Sequence, residues 1–327
     1  MPLTLTISVE SWPIRGGFAI SRGAKTEAVV VVAELADGPA RGRGECVPYA
    51  RYGESAEGVV AALEAMRPAL AAGLTRDALQ RAMPAGAARN ALDCAFWDLE
   101  AKRSGRPVHA LAGLSAPRPL TTALTISLGT PEAMAKAAAQ ASGRALLKVK
   151  LGADGDPARI AAVRAAAPET MLIVDANEGW SAANLEANLA ACAVAAVALV
   201  EQPLPAGHDA PLGTIARPIP VCADESVHDR GSLSSLAGRY DAVNIKLDKA
   251  GGLTEALAMA AAARRLGLTI MAGCMVATSL SMAPAMLLAQ AAQFVDLDGP
   301  LLLERDRPNG LLYRDSQVFP ATPALWG

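Results

Sequence analysis

The sequence has 327 residues, 52% of them hydrophobic and 4% aromatic, and its formal net charge is −2. This length is sufficient for two domains, or for one barrel with an appendage. The longest uninterrupted apolar stretch, 189–200, is too short to span a bilayer, and the chain has no long basic run to attract a nucleic acid. Composition therefore predicts a soluble protein with a small-molecule ligand and with neither a membrane nor a nucleic acid as partner.

The side chains available for chemistry are restricted by what the sequence lacks. It does not start with the basic segment and apolar core of a signal peptide, so we expect a cytoplasmic protein with reduced cysteines. Its five cysteines are scattered without a Cys-x-x-Cys pair, and its three histidines are not at metal-ligand spacing. Neither a nucleophile elbow nor a phosphate-binding loop is present. Carboxylates and lysines are the remaining candidates.

The first part of the chain predicts an α+β domain over residues 1–116. Strand patterns are found at 3–9, 27–35 and 40–47. Helices are predicted near 56–72, 75–82 and 85–104. The segments 15–25 and 48–55 are expected to be loops, and the glycines of the first indicate mobility. Pro117 and Pro119 then hold the chain extended and mark a domain boundary.

Strands and helices alternate over residues 117–304. Strand-like apolar runs are at 120–128, 146–150, 171–175, 197–201, 219–223, 242–246, 268–272 and 293–296. Helical segments are at 131–142, 156–167, 181–195, 208–216 (the least regular), 229–238, 253–266 and 278–291. This alternation predicts a right-handed parallel barrel of seven or eight βα units. The segment 305–327 has no strong periodicity, and the pattern alone does not assign it.

Charged residues end several of the predicted strands. They are Lys148 and Lys150, Asp175, Glu201, Asp224 and Lys246, with successive strand ends 22–26 positions apart. Taken singly, Asp175 could cap a helix, Glu201 could lie in a surface turn, and the Lys148 and Lys150 pair could face solvent on an edge strand. Because catalytic groups of parallel barrels lie where the strands end, their coincidence predicts a common site.

This set of residue types favours metal-assisted proton transfer. Three packed carboxylates repel one another unless a cation lies between them, and oxygen ligands favour Mg²⁺, with Mn²⁺ as a substitute. Such an ion makes a proton next to a carboxylate removable, because it stabilises the resulting enediolate. A lysine near the ion and near a second lysine is expected to have a lowered pKa and to act as a base. With a lysine on each face of the planar intermediate, one lysine can remove the proton and the other can return it, which inverts the configuration of the carbon.

The motifs that contain these residues resemble the enolase superfamily, specifically the muconate lactonizing enzyme subgroup. The matching stretches are Lys148–Lys150, Asp175–Asn177, Glu201–Pro203, Ala223–Ser226 and Asn244–Gly252. The resemblance covers nearly the whole chain. It implies an α/β fold, a modified (β/α)7β TIM barrel with an N-terminal α+β capping domain, and a C-terminal segment, 305–327, that returns to the cap.

The resemblance also implies roles for individual residues. The family's metal-ligand roles correspond to Asp175, Glu201 and Asp224, which would bind one Mg²⁺ per subunit. The roles of the two acid/base lysines correspond to Lys150 and Lys246. Proton transfer by a lysine base is known chemistry of this superfamily. Lys148 is expected to help bind the substrate carboxylate.

Specificity is expected to depend on residues outside this common set. Asp296 and Asp298 look like the Asp-x-Asp motif of dipeptide epimerases and suit a substrate ammonium group, although a polar turn is the alternative. Arg22, with Lys25 in reserve, is expected to pair with a side-chain carboxylate of the substrate; the alternative is a plain surface charge. Tyr52 lies in a loop that either excludes water from the site or is merely structural.

Three cap stretches, 20–23, 48–55 and 84–94, resemble bacterial dipeptide epimerases of murein peptide recycling. The resemblance implies a dipeptide substrate, L-Ala-D-Glu interconverted with L-Ala-L-Glu by 1,1-proton transfer at the α-carbon of the C-terminal residue. A homo-oligomer is compatible with the sequence. The alternatives are a lyase such as o-succinylbenzoate synthase or muconate cycloisomerase, a Schiff-base aldolase, and a metal-binding protein without turnover.

Overall fold

The N-terminal part of the computed structural model, which describes residues 3–327, is an antiparallel sheet covered by helices. Residues 1 and 2 of the predicted capping domain lie outside this range. The sheet consists of β1 (Thr4–Ile20), β2 (Gly23–Asp37) and β3 (Ala40–Cys46). The helices are α1 (Ala56–Glu64), α2 (Arg67–Ala71), α3 (Arg76–Ala82), α4 (Ala87–Ser104) and α5 (Val108–Leu111).

The longest of these helices lies directly on the sheet because β3 carries two glycines. A Cβ atom on Gly42 would lie 2.3 Å from Ala95 O, and one on Gly44 would lie 2.1 Å from Ala91 O. A side chain at either position would push α4 away from β3.

The prediction of a loop at 15–25 is wrong, because this segment consists of two paired strands and the turn between them. β1 and β2 continue as paired strands to a turn at Ser21 and Arg22, with a register shift between Pro13 and Phe18. The glycines at 16 and 17 accommodate this irregularity with positive φ angles of 69° and 81°. The segment is therefore a β-hairpin arm, and its tip reaches beyond the cap.

Most of the remaining chain forms the barrel. Its short first strand, β4 (Leu120–Thr121), is separate, and the eight parallel strands are β5 (Leu124–Ile126), β6 (Leu146–Lys150), β7 (Met171–Asp175), β8 (Val197–Glu201), β9 (Val221–Ala223), β10 (Ala242–Ile245), β11 (Thr269–Ala272) and β12 (Phe294–Val295). They are ordered β5 to β12, and Ala123 N donates to Val295 O at 2.9 Å across the seam. The predicted α/β fold, a modified (β/α)7β TIM barrel with an α+β cap, is confirmed.

Helices cover the outside of the barrel. They are α6 (Pro131–Gln140), α7 (Asp156–Ala166), α8 (Leu185–Val194), α9 (Leu247–Ala250), α10 (Leu253–Arg265), α11 (Ser279–Ala289) and α12 (Gly299–Leu302). The predicted α-helices at 229–238 and 208–216 are instead short 3₁₀ helices, Arg230–Leu236 and Ala210–Gly213. Glycine and serine dominate the first of them, and these residues form α-helices poorly. No helix within residues 3–327 is long and apolar enough to cross a membrane.

The last residues return to the N-terminal sheet and helices. β13 (Tyr313–Arg314) and β14 (Gln317–Val318) pair with β4, and the chain then reaches α4. There, Trp326 Nε1 donates to Cys94 O at 3.0 Å and Gly327 N donates to Asp98 Oδ1 at 2.7 Å. The domain limits at 116 and 304 stay predictions.

Candidate active site

A cavity of about 630 Å³ lies where the ends of the barrel strands face the cap. Its barrel wall includes Lys148, Lys150, Asp224, Lys246, Asp296 and Asp298, and its cap wall includes Arg22, Tyr49, Arg51 and Tyr52. Because the strands are parallel, every residue that ends one of them lies at this same edge. The residues that the sequence analysis selected are therefore brought together.

Three buried carboxylates form the floor of the site. Asp175 and Glu201 are direct partners in the register of β7 and β8, and Asp224 follows β9. Lys150 Nζ lies 2.7 Å from Asp175 Oδ2, and Lys246 Nζ lies 2.7 Å from Asp224 Oδ2. The two lysines thus approach the carboxylates from opposite sides of Glu201, as the strand order requires.

Lys148 lies between the carboxylates rather than at the cavity rim. Its ammonium group is 2.6 Å from Glu201 Oε2, 3.2 Å from Asp175 Oδ2 and 2.8 Å from Asp296 Oδ2. Within residues 3–327, no three acidic, histidine or cysteine side chains converge around a point that could hold a metal ion. Ammonium groups are interposed among the three carboxylates instead. Glu201 Oε2 is nonetheless without a well-oriented hydrogen bond from any described residue.

The electrostatics follow from burial and crowding. Burial, and then the charges of Asp175 and Asp224, raise the pKa of Glu201 to about 7 against the opposing effect of Lys148. Burial also opposes ionisation of Asp224, but Lys246 and Lys249 hold its pKa well below the usual range.

Two of the lysines, Lys148 and Lys246, have pKa values that the neighbouring carboxylates raise. Burial alone would lower the pKa of Lys246, but the charges of Asp224 and Glu201 raise it well above the usual value. The pKa of Lys148 is raised in the same way, by Asp296 first and then by Glu201. The protein's own groups therefore do not produce the lowered lysine pKa that was predicted beside a metal ion.

Asp296 and Asp298 follow β12 and reach the cavity with different partners. Asp296 Oδ2 pairs with Lys148, whereas its Oδ1 atom has no hydrogen-bond partner among residues 3–327. Asp298 Oδ2 accepts a hydrogen bond from Thr125 N at 2.6 Å. Burial and the nearby Asp296 charge raise the pKa of Asp298 to about 7.

The cap residues lie at the other end of the cavity. Arg22, at the tip of the hairpin arm, contacts Asn177 O (2.7 Å) and Glu225 Oε1 (2.6 Å) and is not a free surface charge. The reserve candidate Lys25 lies over the Tyr49 ring at 5.2 Å. Tyr52 packs edge-on against His228 at 4.7 Å, so its loop joins the cap to the barrel.

Sequence reasoning gave no role to two residues that hold the carboxylates in place. Lys249 Nζ donates to Asp224 Oδ1 and to Asp224 O, both at 2.5 Å, and Asn244 Nδ2 donates to Glu201 Oε1 at 2.6 Å. Asn244 could have been found, because it lies two positions before Lys246 and shares its face of the strand. Lys249 lies on α9 beyond the strand, where strand alternation carries no information.

Asp248 fixes the segment after Lys246 to the cap. The buried Oδ1 atom accepts hydrogen bonds from Val47 N at 3.0 Å and from Asn90 Nδ2 at 2.8 Å. Burial raises the pKa of Asp248 to about 7. At pH values below about 7, the carboxyl group therefore keeps its proton at this junction between cap and barrel.

Comparison with known proteins gives consistent matches along the chain. The family described as Mandelate racemase / muconate lactonizing enzyme, N-terminal domain, matches residues 3–113, and the family described as Enolase C-terminal domain-like matches residues 132–317. The L-Ala-D/L-Glu epimerase of Escherichia coli (strain K12) is 49% identical over 317 residues, which cover 96% of this chain and 99% of that protein.

Two solved structures are similar in fold, and each of them contains a bound cation and a dipeptide. An enolase family member from Agrobacterium tumefaciens with homology to dipeptide epimerases, with bound sodium and L-Ala-L-Glu, is 56% identical, with a TM-score of 0.98 and 100% coverage of both chains. A dipeptide epimerase from Enterococcus faecalis V583, complexed with Mg and L-Leu-L-Tyr, is 26% identical, with a TM-score of 0.91 and 99% coverage of both chains.

The raised pKa of Asp248 predicts a pH-dependent stability. The folded protein keeps this proton up to about pH 7, while the unfolded chain loses it near pH 4. Between these pH values, the contribution of Asp248 to the free energy of unfolding falls by about 1.4 kcal/mol per pH unit. Asp248→Asn keeps both accepted hydrogen bonds and cannot ionise. It should match the wild type near pH 4 and exceed its stability at pH 8, as measured by urea denaturation of both proteins across this range.

The control is Asp77→Asn, because the Asp77 side chain is 84% exposed. This variant should follow the wild-type pH profile. An Asp248→Asn profile that also parallels the wild type would show that Asp248 is ionised in the folded protein.

Proposed function

The chain belongs to the mandelate racemase and muconate lactonizing enzyme group of the enolase superfamily, and we propose that it is a dipeptide epimerase. Its named relatives, an epimerase and a racemase, are isomerases. The observation that carries the proposal is the pair of lysines, Lys150 and Lys246, on opposite sides of a buried carboxylate cluster. Two amines so arranged can reach both faces of one planar carbon. The alternative lyases are less favoured, because the relatives compared above are epimerases or resemble them.

Although ammonium groups lie among them in this structure, the carboxylates of Asp175, Glu201 and Asp224 have the donor chemistry that a hard divalent cation requires, and we assign its binding to them. Support comes from the all-oxygen donor set, from Glu201 Oε2, which is ion-paired with Lys148 but accepts no well-oriented hydrogen bond, and from the burial and carboxylate repulsion that raise the pKa of Glu201. When bound, Mg²⁺ supplies electrostatic stabilisation of the negative charge that develops on the substrate carboxylate. Mn²⁺ is the expected substitute.

The protein's own side chains move the proton. One of Lys150 and Lys246 removes it from the α-carbon of the C-terminal residue, and the other delivers a proton to the opposite face. Lys148 pairs with the substrate's α-carboxylate, for which it must exchange part of its contact with the buried acids.

The two ends of the cavity suit the two ends of an acidic dipeptide. Asp296 and Asp298 accept hydrogen bonds from the substrate ammonium group, and Arg22 donates hydrogen bonds to the side-chain carboxylate of the second residue. Tyr52 covers the site and limits the access of water. The proposed substrates are L-Ala-D-Glu and L-Ala-L-Glu, as expected for recycling of murein peptides.

Replacement of either lysine should separate the two half-reactions. Lys150→Ala and Lys246→Ala should each reduce epimerisation by about 10²–10⁴-fold, because each lysine transfers a proton on one face only. In D₂O with Mg²⁺, each variant should retain α-proton exchange from a single, different enantiomer of the second residue, as read by mass spectrometry. Exchange from both enantiomers in both variants would refute the two-base assignment.

Removal of the metal should abolish activity reversibly. Treatment with a chelator should eliminate α-proton exchange, and added Mg²⁺ should restore it. Calorimetric titration of the metal-free protein tests the ligands directly: Glu201→Gln should weaken Mg²⁺ binding by at least about tenfold, since even loss of an outer-shell partner has an effect of that size. Undiminished binding by this variant would remove Glu201 from the ligand set.

The ammonium site predicts discrimination between free and acylated dipeptides. Asp298→Asn keeps an acceptor for Thr125 N and leaves the Lys148–Asp296 pair intact. Its KM should rise by about tenfold or more for L-Ala-L-Glu and much less for the N-acetylated dipeptide, since only the former carries the charge. Equal effects on both substrates would leave the ammonium assignment without support.

A further inference from the structure

Both terminal nitrogens of Arg22 are engaged before any substrate is considered. Among the described residues, its Nη1 group donates to Asn177 O (2.7 Å) and Glu178 Oε2 (3.0 Å), and its Nη2 group donates to Glu225 Oε1 (2.6 Å) and Tyr49 OH (3.2 Å). A substrate carboxylate can therefore bind either terminal nitrogen of Arg22 only by replacing one of these partners.

The four partners differ in what they would lose. The Glu225 side chain is 1% exposed, its Oε2 atom has no hydrogen-bond partner within residues 3–327, and Arg22 is the cation paired with it there. Separation of this pair would leave a buried charge uncompensated, which is strongly unfavourable. Asn177 O and Tyr49 OH are neutral and fix the orientation of the guanidinium.

Glu178 is the partner that remains satisfied without Arg22. Arg51 binds it bidentately, with Nε 2.8 Å from Oε2 and Nη2 2.7 Å from Oε1. Ala206 N donates to the same Oε1 atom at 2.8 Å. A carboxylate that keeps three hydrogen bonds can give up a fourth at little cost.

The backbone holds Glu178 in this position. Asn177 and Glu178 have left-handed φ angles of 45° and 65°, and Glu178 N donates to Gln202 O at 2.9 Å. Ser21 Oγ also donates to Asn177 O at 2.8 Å, which fixes the hairpin tip to the same turn. A strained turn that is held from both sides presents a side chain at a defined place.

We propose that Glu178 is a built-in stand-in for the side-chain carboxylate of the substrate and that Arg51 is a specificity-determining residue that takes Glu178 over. When an acidic dipeptide binds, its carboxylate replaces Glu178 Oε2 at Arg22 Nη1, while Glu178 stays with Arg51 and Ala206 N. Arg22 keeps its contacts to Asn177, Tyr49 and Glu225. This inference rests on the proposed function, in which an acidic dipeptide is the substrate.

The exchange explains how the site can prefer an acidic side chain over a neutral one of the same shape. A glutamate side chain restores the ion pair that Arg22 gives up. A glutamine side chain does not, so Glu178 keeps Arg22 and the neutral ligand gains nothing there. Specificity then depends on the competition between two carboxylates for one guanidinium, with Arg51 setting the strength of the internal competitor.

The test compares L-Ala-L-Glu with its neutral analogue L-Ala-L-Gln in four Mg²⁺-loaded proteins: the wild type, Glu178→Gln, Arg51→Gln and the double variant. The KM and kcat for L-Ala-L-Glu are measured by α-proton exchange in D₂O, and L-Ala-L-Gln is measured as a competitive inhibitor. Glu186→Gln serves as a control for loss of one negative charge, because Glu186 is exposed on α8. Thermal unfolding verifies that each variant is folded.

Glu178→Gln removes the competing charge and should lower the KM for L-Ala-L-Glu by about fivefold, the scale of a partly exposed ion pair. Arg51→Gln should raise it by a similar factor, because Glu178 then depends on Arg22. In the double variant the Arg51 effect should vanish, so that its KM equals that of Glu178→Gln. The inhibition constant of L-Ala-L-Gln should differ by less than about twofold between these proteins. In the Glu186→Gln control, the KM for L-Ala-L-Glu should likewise change by less than about twofold.

Two results would overturn the inference. Weaker binding of both dipeptides to Glu178→Gln would show that Glu178 only clamps the hairpin arm. An Arg51 effect that persists undiminished in the double variant would show that Arg51 acts on the substrate through its own charge. Absence of exchange from L-Ala-L-Glu in the wild type would instead reject the proposed function, so the two failures are distinguishable.

Discussion

The structure depends on the balance of charge at the carboxyl ends of the barrel strands. Asp175, Glu201 and Asp224 are each at most 2% exposed, and burial of three carboxylates is unfavourable unless cations are close to them. Lys148, Lys150, Lys246 and Lys249 supply that charge, with Nζ atoms 2.5–2.7 Å from the carboxylate oxygens. The same electrostatic requirement supports the proposed divalent-ion site and the proposed pair of acid/base lysines.

The cap acts as the second half of this arrangement. Its hairpin arm crosses the barrel mouth, with Leu128 N donating to Ala19 O at 3.1 Å and Ile14 paired with Leu303 near the Asp298 end. The tip then reaches the turn at Asn177 and Glu178. Consequently one continuous element of the cap lies beside both ends of the proposed dipeptide site.

Ion pairs on the cap side differ in character from those on the barrel floor. The floor pairs are buried and hold the proposed acid/base lysines, so their disruption affects the whole site. The pairs of Arg22 and Arg51 with Glu178 are partly exposed, with arginine side chains 27% and 38% accessible, and are therefore weak enough to exchange. Catalysis and selection of the substrate are thus assigned to electrostatic interactions of different strength.

The sequence by itself determined the parallel barrel and the grouping of Lys148, Lys150, Asp175, Glu201 and Lys246. Strand periodicity and strand ends are local properties, and parallel topology brings all such ends to one edge. The hairpin arm was mistaken for a mobile loop, because glycines look alike in a bulged strand and in a flexible segment.

Only the tertiary structure decided which charges pair. It placed Lys148 among the acids, brought Lys249 beneath Asp224, and engaged Arg22 with Glu178, which lies 156 positions away in the chain. Such partners depend on side-chain packing between distant elements, and no sequence period encodes that contact.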